Sequence, residues 1–159
     1  MEEFNIKEVK VRRTLEGTLF EVAFLILAIV VWAFVIWAVN RAPDIVPTHF
    51  GLDGHVDAYG SPKSFLIPCV ILTGAGALLL VGAYFPRFVN VPGGISNLNQ
   101  CVLAIRMMRI LSIMMLLLVF SITLSSLVLS SHSPFPVIMT TVCIVAVALL
   151  FTFLIFRAK

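Results

Sequence analysis

Four long stretches of the chain, residues 22–39, 65–85, 110–129 and 135–156, are apolar and carry no charged residue. A helix rises 1.5 Å per residue, so about 20 residues cross a hydrocarbon core of about 30 Å. The apolar positions follow neither the alternation of a half-buried strand nor the single stripe of a helix on a soluble core. They run all the way round, as contact with lipid demands. The pattern predicts four membrane-spanning helices. The first stretch exceeds the apolar core of a cleavable signal, about 7–15 residues. Its exit, Trp37-Ala38-Val39-Asn40, lacks a small-x-small cleavage pattern. It therefore reads as a retained anchor, with Trp32 in its second half and Trp37 near the exit, at interfacial depth.

The segments between the spans extend this reading. From Thr14 onward the chain is expected to continue the first helix, and residues before it form a solvated arm or lie along head groups. Pro86, Pro92, Gly93 and Gly94 stop the second helix and make a turn. Ser96 or Asn97 caps a third helix running from about Leu98 through Leu129. Ser130-Ser131-His132-Ser133-Pro134 is short enough to make the last two helices antiparallel neighbours. The expected fold is an all-α integral membrane protein. It is a single domain over residues 1–159, with loop 40–64 on one side and loop 86–109 on the other. Ser121 and Ser125, and Gly74, Gly76 and Gly82, read as small residues that let helices pack. Cys69, Cys101 and Cys143 are odd in number, have no evident disulfide partners and read as small apolar residues.

Composition sharpens the class. Hydrophobic residues make up 60% and charged residues 12%, against about 45–50% and about 25% in soluble domains. With a mean hydropathy of +1.09, a water-soluble globule and a disordered chain are both excluded. The net charge is +3, and all eight carboxylates lie within the first 57 residues. No span contains one, which argues against an ion pathway or proton relay inside the membrane. The cations flank apolar runs, a placement suited to the head groups of a lipid bilayer and not to nucleic acid. The arm, the second loop and the C-terminus together hold nine Lys and Arg, against two in the first loop and none in the third. The positive-inside rule then places both termini in the cytoplasm of a multi-pass inner-membrane protein, with loop 40–64 outside.

That outer loop carries most of the polar chemistry. Pro43, Pro47, Gly51, Gly54, Gly60 and Pro62 punctuate it, so it is not a helix. Prolines fix its backbone and glycines permit positive-φ turns. Ile45, Val46, Phe50, Leu52, Val56 and Tyr59 are expected to pin it on the helix ends as an ordered cap, with a short hairpin near Asp53-Gly54. His49, Asp53, His55 and Asp57 fall within nine residues, and His132 lies on the same side. Imidazole and carboxylate together suit zinc, although this spacing is no recognised ligand signature. The alternatives are a hydrogen-bonding role that fixes the loop and a ligand or peptide contact by His49. Ser nucleophiles lack a base apart from His132, so catalysis has little support.

The pattern Pro43-x-x-x-Pro47-x-His49-Phe50-x-x-x-Gly54-x-x-Asp57, ending near Ser61-Pro62-Lys63, resembles a bacterial membrane domain of unknown function. That domain is found at the N-terminus of SdpI-type toxin-immunity proteins. Asn97 to Arg109, leading through Arg106-x-x-Arg109 into the third helix, is similar to the same family. The resemblance implies a multi-pass envelope protein and marks Pro43, Pro47, His49, Phe50, Gly54, Asp57 and Lys63 as the loop motif. The reading adopted is non-enzymatic recognition, at the outer face, of a peptide, a lipid-linked molecule or a membrane-protein partner, with no cofactor. The rival is a metal-dependent membrane enzyme with zinc on His49, Asp53, His55, Asp57 and His132. A third reading is a sensor coupling the loop to Arg106 and Arg109. Oligomeric state and ligand identity are not encoded in any motif.

Overall fold

Thr14 opens the first helix: its Oγ1 accepts from Gly17 N at 3.1 Å, and its own backbone is extended. The computed structural model describes residues 6, 9–51, 54–91, 94–129 and 133–158. Helix α1 spans Leu15–Arg41, and Pro43 ends it by forcing Ala42 out of the helical region. Strands β1 (Val46–Phe50) and β2 (Val56–Gly60) follow as an antiparallel hairpin. A single 3₁₀ turn, Pro62–Phe65, leads into α2, Leu66–Gly82. After a second short turn, Pro86–Phe88, helix α3 runs over Leu98–Thr123 and closes in a π-helical turn, Leu124–Val128. Helix α4 is Phe135–Arg157.

Four helical segments are thus long and apolar enough to cross a membrane. Their centres match the four apolar stretches, and their ends depart from them. Segment α1 starts seven residues before its charge-free core, because Glu16 and Glu21 sit on its first turns and find partners there. Helix α2 stops at Gly82, short of residue 85. The chain ahead of Pro86 cannot stay helical, and Tyr84 and Phe85 close tight turns on Val81 and Gly82. The fold is mostly helical, since the hairpin adds two strands to the expected all-α bundle.

Helix α3 is the hub, packed along α2, α4 and α1. Close approach on α2 depends on two glycines. A Cβ at Gly76 would stand 3.0 Å from the Ser112 carbonyl oxygen and 3.1 Å from the Phe24 ring; at Gly82 it would stand 2.6 Å from Met108 Cε. Gly74 has nothing within 4 Å of that position, so it is not a packing glycine. On the α4 side, Ser121 Oγ lies 2.7 Å from Thr140 Oγ1, a hydroxyl pair between the helices. Trp32 Nε1 donates to Thr73 Oγ1 at 3.1 Å, which ties α1 to α2. Cys69 and Cys101 are buried and Cys143 is exposed; all three are free thiols. The outward faces stay apolar, with Ile29, Leu78, Leu149 and Phe153 all more than half exposed.

The amino end of α3 caps both itself and α4. Asn97 Oδ1 accepts from Gln100 N at 2.9 Å, and Gln100 Oε1 accepts from Ser96 N at 2.7 Å, a variant of the capping box. Gln100 Nε2 donates to Ile155 O and Asn97 Nδ2 to Ala158 O, at 2.9 and 2.8 Å. Carbonyls at the end of α4 that have no partner within their own helix are satisfied this way.

Candidate functional site

Pro47 shapes the hairpin. It has no N–H to give the ladder, and register shifts flank His49, between Pro47 and His49 and between His49 and Phe50. Val46 is paired with Gly60, and Phe50 with Val56. The bulge turns His49 toward β2, where His49 Nδ1 lies 2.6 Å from Asp57 Oδ1. A carboxylate oxygen accepts, so Nδ1–H is the donor of this pair, and Nε2 is the ring nitrogen left for a further contact. Both side chains are more than half exposed, so the pair orients the imidazole more than it stabilises the fold.

At the tip, Gly54 N donates to Gly51 O and Gly51 N to His55 O, at 2.9 and 2.8 Å. Gly54 adopts φ +82, the positive value that the loop pattern predicted. Its Cα faces the start of α4, where a Cβ added to it would stand 3.7 Å from Pro134 Cγ. Gly54→Val should therefore destabilise the protein by about 1–3 kcal/mol, whereas Gly54→Asn, which tolerates this region, should lose less. Thermal unfolding in detergent measures both.

Beneath the hairpin lies a pocket of about 480 Å³, within the ordinary range of about 300–1,000 Å³ for small-molecule sites. Strand β1 supplies Thr48, His49 and Phe50, and the start of α2 supplies Phe65 and Pro68. Ile122 and Ser126 come from the end of α3, and Pro134, Val137 and Ile138 from α4. The π-helical turn widens α3 where β1 meets it, and π turns of this kind concentrate at functional sites. Next to Ser126, Ser125 Oγ is buried and has no hydrogen-bond partner. The pocket is therefore apolar-walled, with an imidazole, a Thr hydroxyl and a Ser hydroxyl among its lining.

The loop motif divides between this pocket and structural work. His49, Phe50 and Gly54 line it, and Asp57 orients His49. Pro47 is buried in the hairpin, and Pro43 ends α1. Lys63 sits in the turn opening α2, where its N–H donates to Ser61 Oγ at 3.4 Å. Val46 is buried as expected, but Ile45 and Tyr59 are 68% and 65% exposed. These two therefore do not pin the loop. Of the candidate zinc ligands, His49 and Asp57 come together. Asp53 and His132, like Leu52, Pro92, Gly93, Ser130 and Ser131, lie outside the described residues. Among the described residues no three His, Cys, Asp or Glu side chains gather in a metal-binding group. Nothing in the sequence pointed to Ser126, Pro134 and Val137; only the hairpin's landing place reveals them.

At the opposite end of the bundle a charged cluster joins three elements. Arg106 grips Glu16 with Nε–Oε1 3.0 Å and Nη2–Oε2 3.1 Å. Tyr84 OH donates to Glu21, which Arg13 also approaches at 3.5 Å. Arg109 is only 4% exposed; its Nη1 is 3.9 Å from Glu16, and its guanidinium lies 5.9 Å from the Tyr84 ring centroid. Gly17 makes room for it, since a Cβ there would stand 2.7 Å from Arg109 Nη2.

Residues 26–72, the second half of α1, the hairpin and the start of α2, match a domain of unknown function, DUF1648. An uncharacterized protein of Archaeoglobus fulgidus is 29% identical over 84 residues, covering 48% of this chain and 46% of the relative. The chain thus spans about half the length of that relative. No solved structure matches. The family match is centred on the hairpin, the element that builds the pocket, and neither the family nor the relative carries a described activity.

Proposed function

We propose that this is a multi-pass membrane protein that recognises a ligand at the outer face, non-enzymatically, in the pocket beneath the hairpin. The observation that carries the reading is the convergence of His49 and Phe50 with Ser126 and Val137 around one cavity of about 480 Å³. Its apolar walls suit an acyl or isoprenoid chain or an apolar peptide side chain. The oriented, exposed His49 ring suits a polar group at the mouth, and the Thr48 and Ser126 hydroxyls offer polar contacts within the lining. The nine-to-two distribution of Lys and Arg supports an orientation with the hairpin outside and both termini in the cytoplasm. The loop motif is similar to that of SdpI-type toxin-immunity proteins, which supports protection against, or sensing of, a membrane-active peptide.

Binding to the purified protein in lipid nanodiscs tests this. The probes are a fluorescent amphipathic peptide and a fluorescent polyprenyl phosphate. At least one should bind saturably. Val137→Trp, which fills the pocket, should weaken it at least about tenfold, equal to about 1.4 kcal/mol. His49→Gln should weaken it less if the ring only shapes the loop, and as much as Val137→Trp if Nε2 contacts the ligand. Saturable binding unaffected by Val137→Trp, or no saturable binding of either probe, refutes the reading.

A further inference from the structure

The charged end of the bundle holds a second cavity, of about 270 Å³, between the start of α1 and the start of α3. Lys10, Arg12, Arg106 and Arg109 line it, and among the described residues Glu16 is its single lining carboxylate. Glu16 is already engaged by both nitrogens of the Arg106 fork. Arg109 is buried, and its nearest described carboxylate oxygen is that same Glu16 atom, at 3.9 Å, beyond hydrogen-bond distance. A buried guanidinium is costly unless an anion neutralises it closely. Glu21 does not supply that anion, since Tyr84 and Arg13 are its partners. Apart from Thr14, the remaining wall is apolar, including Val11, Val102 and Ile105. The cavity sits where apolar helix surface gives way to charge.

We propose that this cleft binds the phosphate of an anionic phospholipid head group. The phosphate would sit between Arg109 and the exposed Lys10 and Arg12, and the acyl chains would lie along the apolar wall. Charge-assisted contacts from guanidinium to phosphate are short and strong, and Arg fits them better than Lys. A free phosphate would satisfy the same cations but would gain nothing from Val102 and Ile105. The site is distinct from the hairpin pocket and does not depend on it.

Native mass spectrometry of the full chain in detergent, with phosphatidylglycerol or phosphatidylcholine added, tests the proposal. The wild type should retain one phosphatidylglycerol in clear preference to phosphatidylcholine, and millimolar inorganic phosphate should not displace it. Lys10→Gln with Arg12→Gln, both at exposed positions, should lower its retention by roughly tenfold. Arg41→Gln, at the other end of α1, should leave it unchanged. Equal retention of the two lipids, or undiminished retention in the double variant, overturns the proposal. Displacement by inorganic phosphate would overturn the lipid assignment and make the site one for free phosphate.

Discussion

Gln100→Leu should be the most damaging single substitution in the bundle. The residue is fully buried, and its amide holds Ser96 N–H, Ser96 Oγ and the Ile155 carbonyl at once. Leucine fills much of the volume and meets none of these groups. Ser96 is exposed and can turn to water, but the Ile155 carbonyl, on a residue only 1% exposed, loses its partner where water does not reach. Each buried group left unsatisfied costs roughly 1–3 kcal/mol. The loss falls on the seam between α3 and α4, so α4 should detach first. Asn97→Ala removes only the cap bond and the bond to Ala158 O, and should cost about 1 kcal/mol. Limited proteolysis near the C-terminus and unfolding in detergent should rank the two variants in that order. Equal stability of Gln100→Leu and the wild type would remove Gln100 from its place as the tie between helices.

Gly76→Leu should break the other seam. The obstruction there is the Ser112 backbone carbonyl, 3.0 Å from the position of a Cβ, with the Phe24 ring on the second side. A flexible side chain could move aside, but backbone in the middle of α3 cannot. Overpacking of this kind costs about 1–3 kcal/mol and more when backbone must shift. Gly74→Leu, two residues earlier, meets open space. It should leave stability within about 0.5 kcal/mol, as surface changes usually do. The pair makes a controlled comparison: same helix, same substitution, opposite surroundings. Unfolding midpoints that coincide would contradict the described α2–α3 contact.

These two residues also mark where sequence reading stops. The four helices were legible because about 20 consecutive apolar residues is a strong, local signal. The start of α1 near Thr14 was legible, and the cap of α3 was legible as Ser96 or Asn97, because short polar side chains favour that position; only the structure shows that Thr14 and Asn97 are the caps. Gly54 was legible as a positive-φ turn for the same local reason. Packing partners were not, since Gly74 and Gly76 look alike until α3 is placed against one of them. Long-range pairs were hidden too: Glu16 meets Arg106 across 90 positions and Tyr84 meets Glu21 across 63. The hairpin's turn chemistry could be read, but its bulge at His49 depends on register. The pocket depends on where the hairpin lands on α4, and no spacing within 40–64 specifies that.

The central claim is a ligand pocket that opens at the outer face beneath the hairpin. A single cysteine at Val137, in a chain with Cys69, Cys101 and Cys143 replaced by Ala, tests it most directly. The readout is labelling by a membrane-impermeant maleimide applied to intact cells. The account predicts labelling from outside, slowed by the amphipathic peptide or polyprenyl phosphate that binds the purified protein. Labelling that appears only after the membrane is broken, or that no bound probe slows, would contradict it.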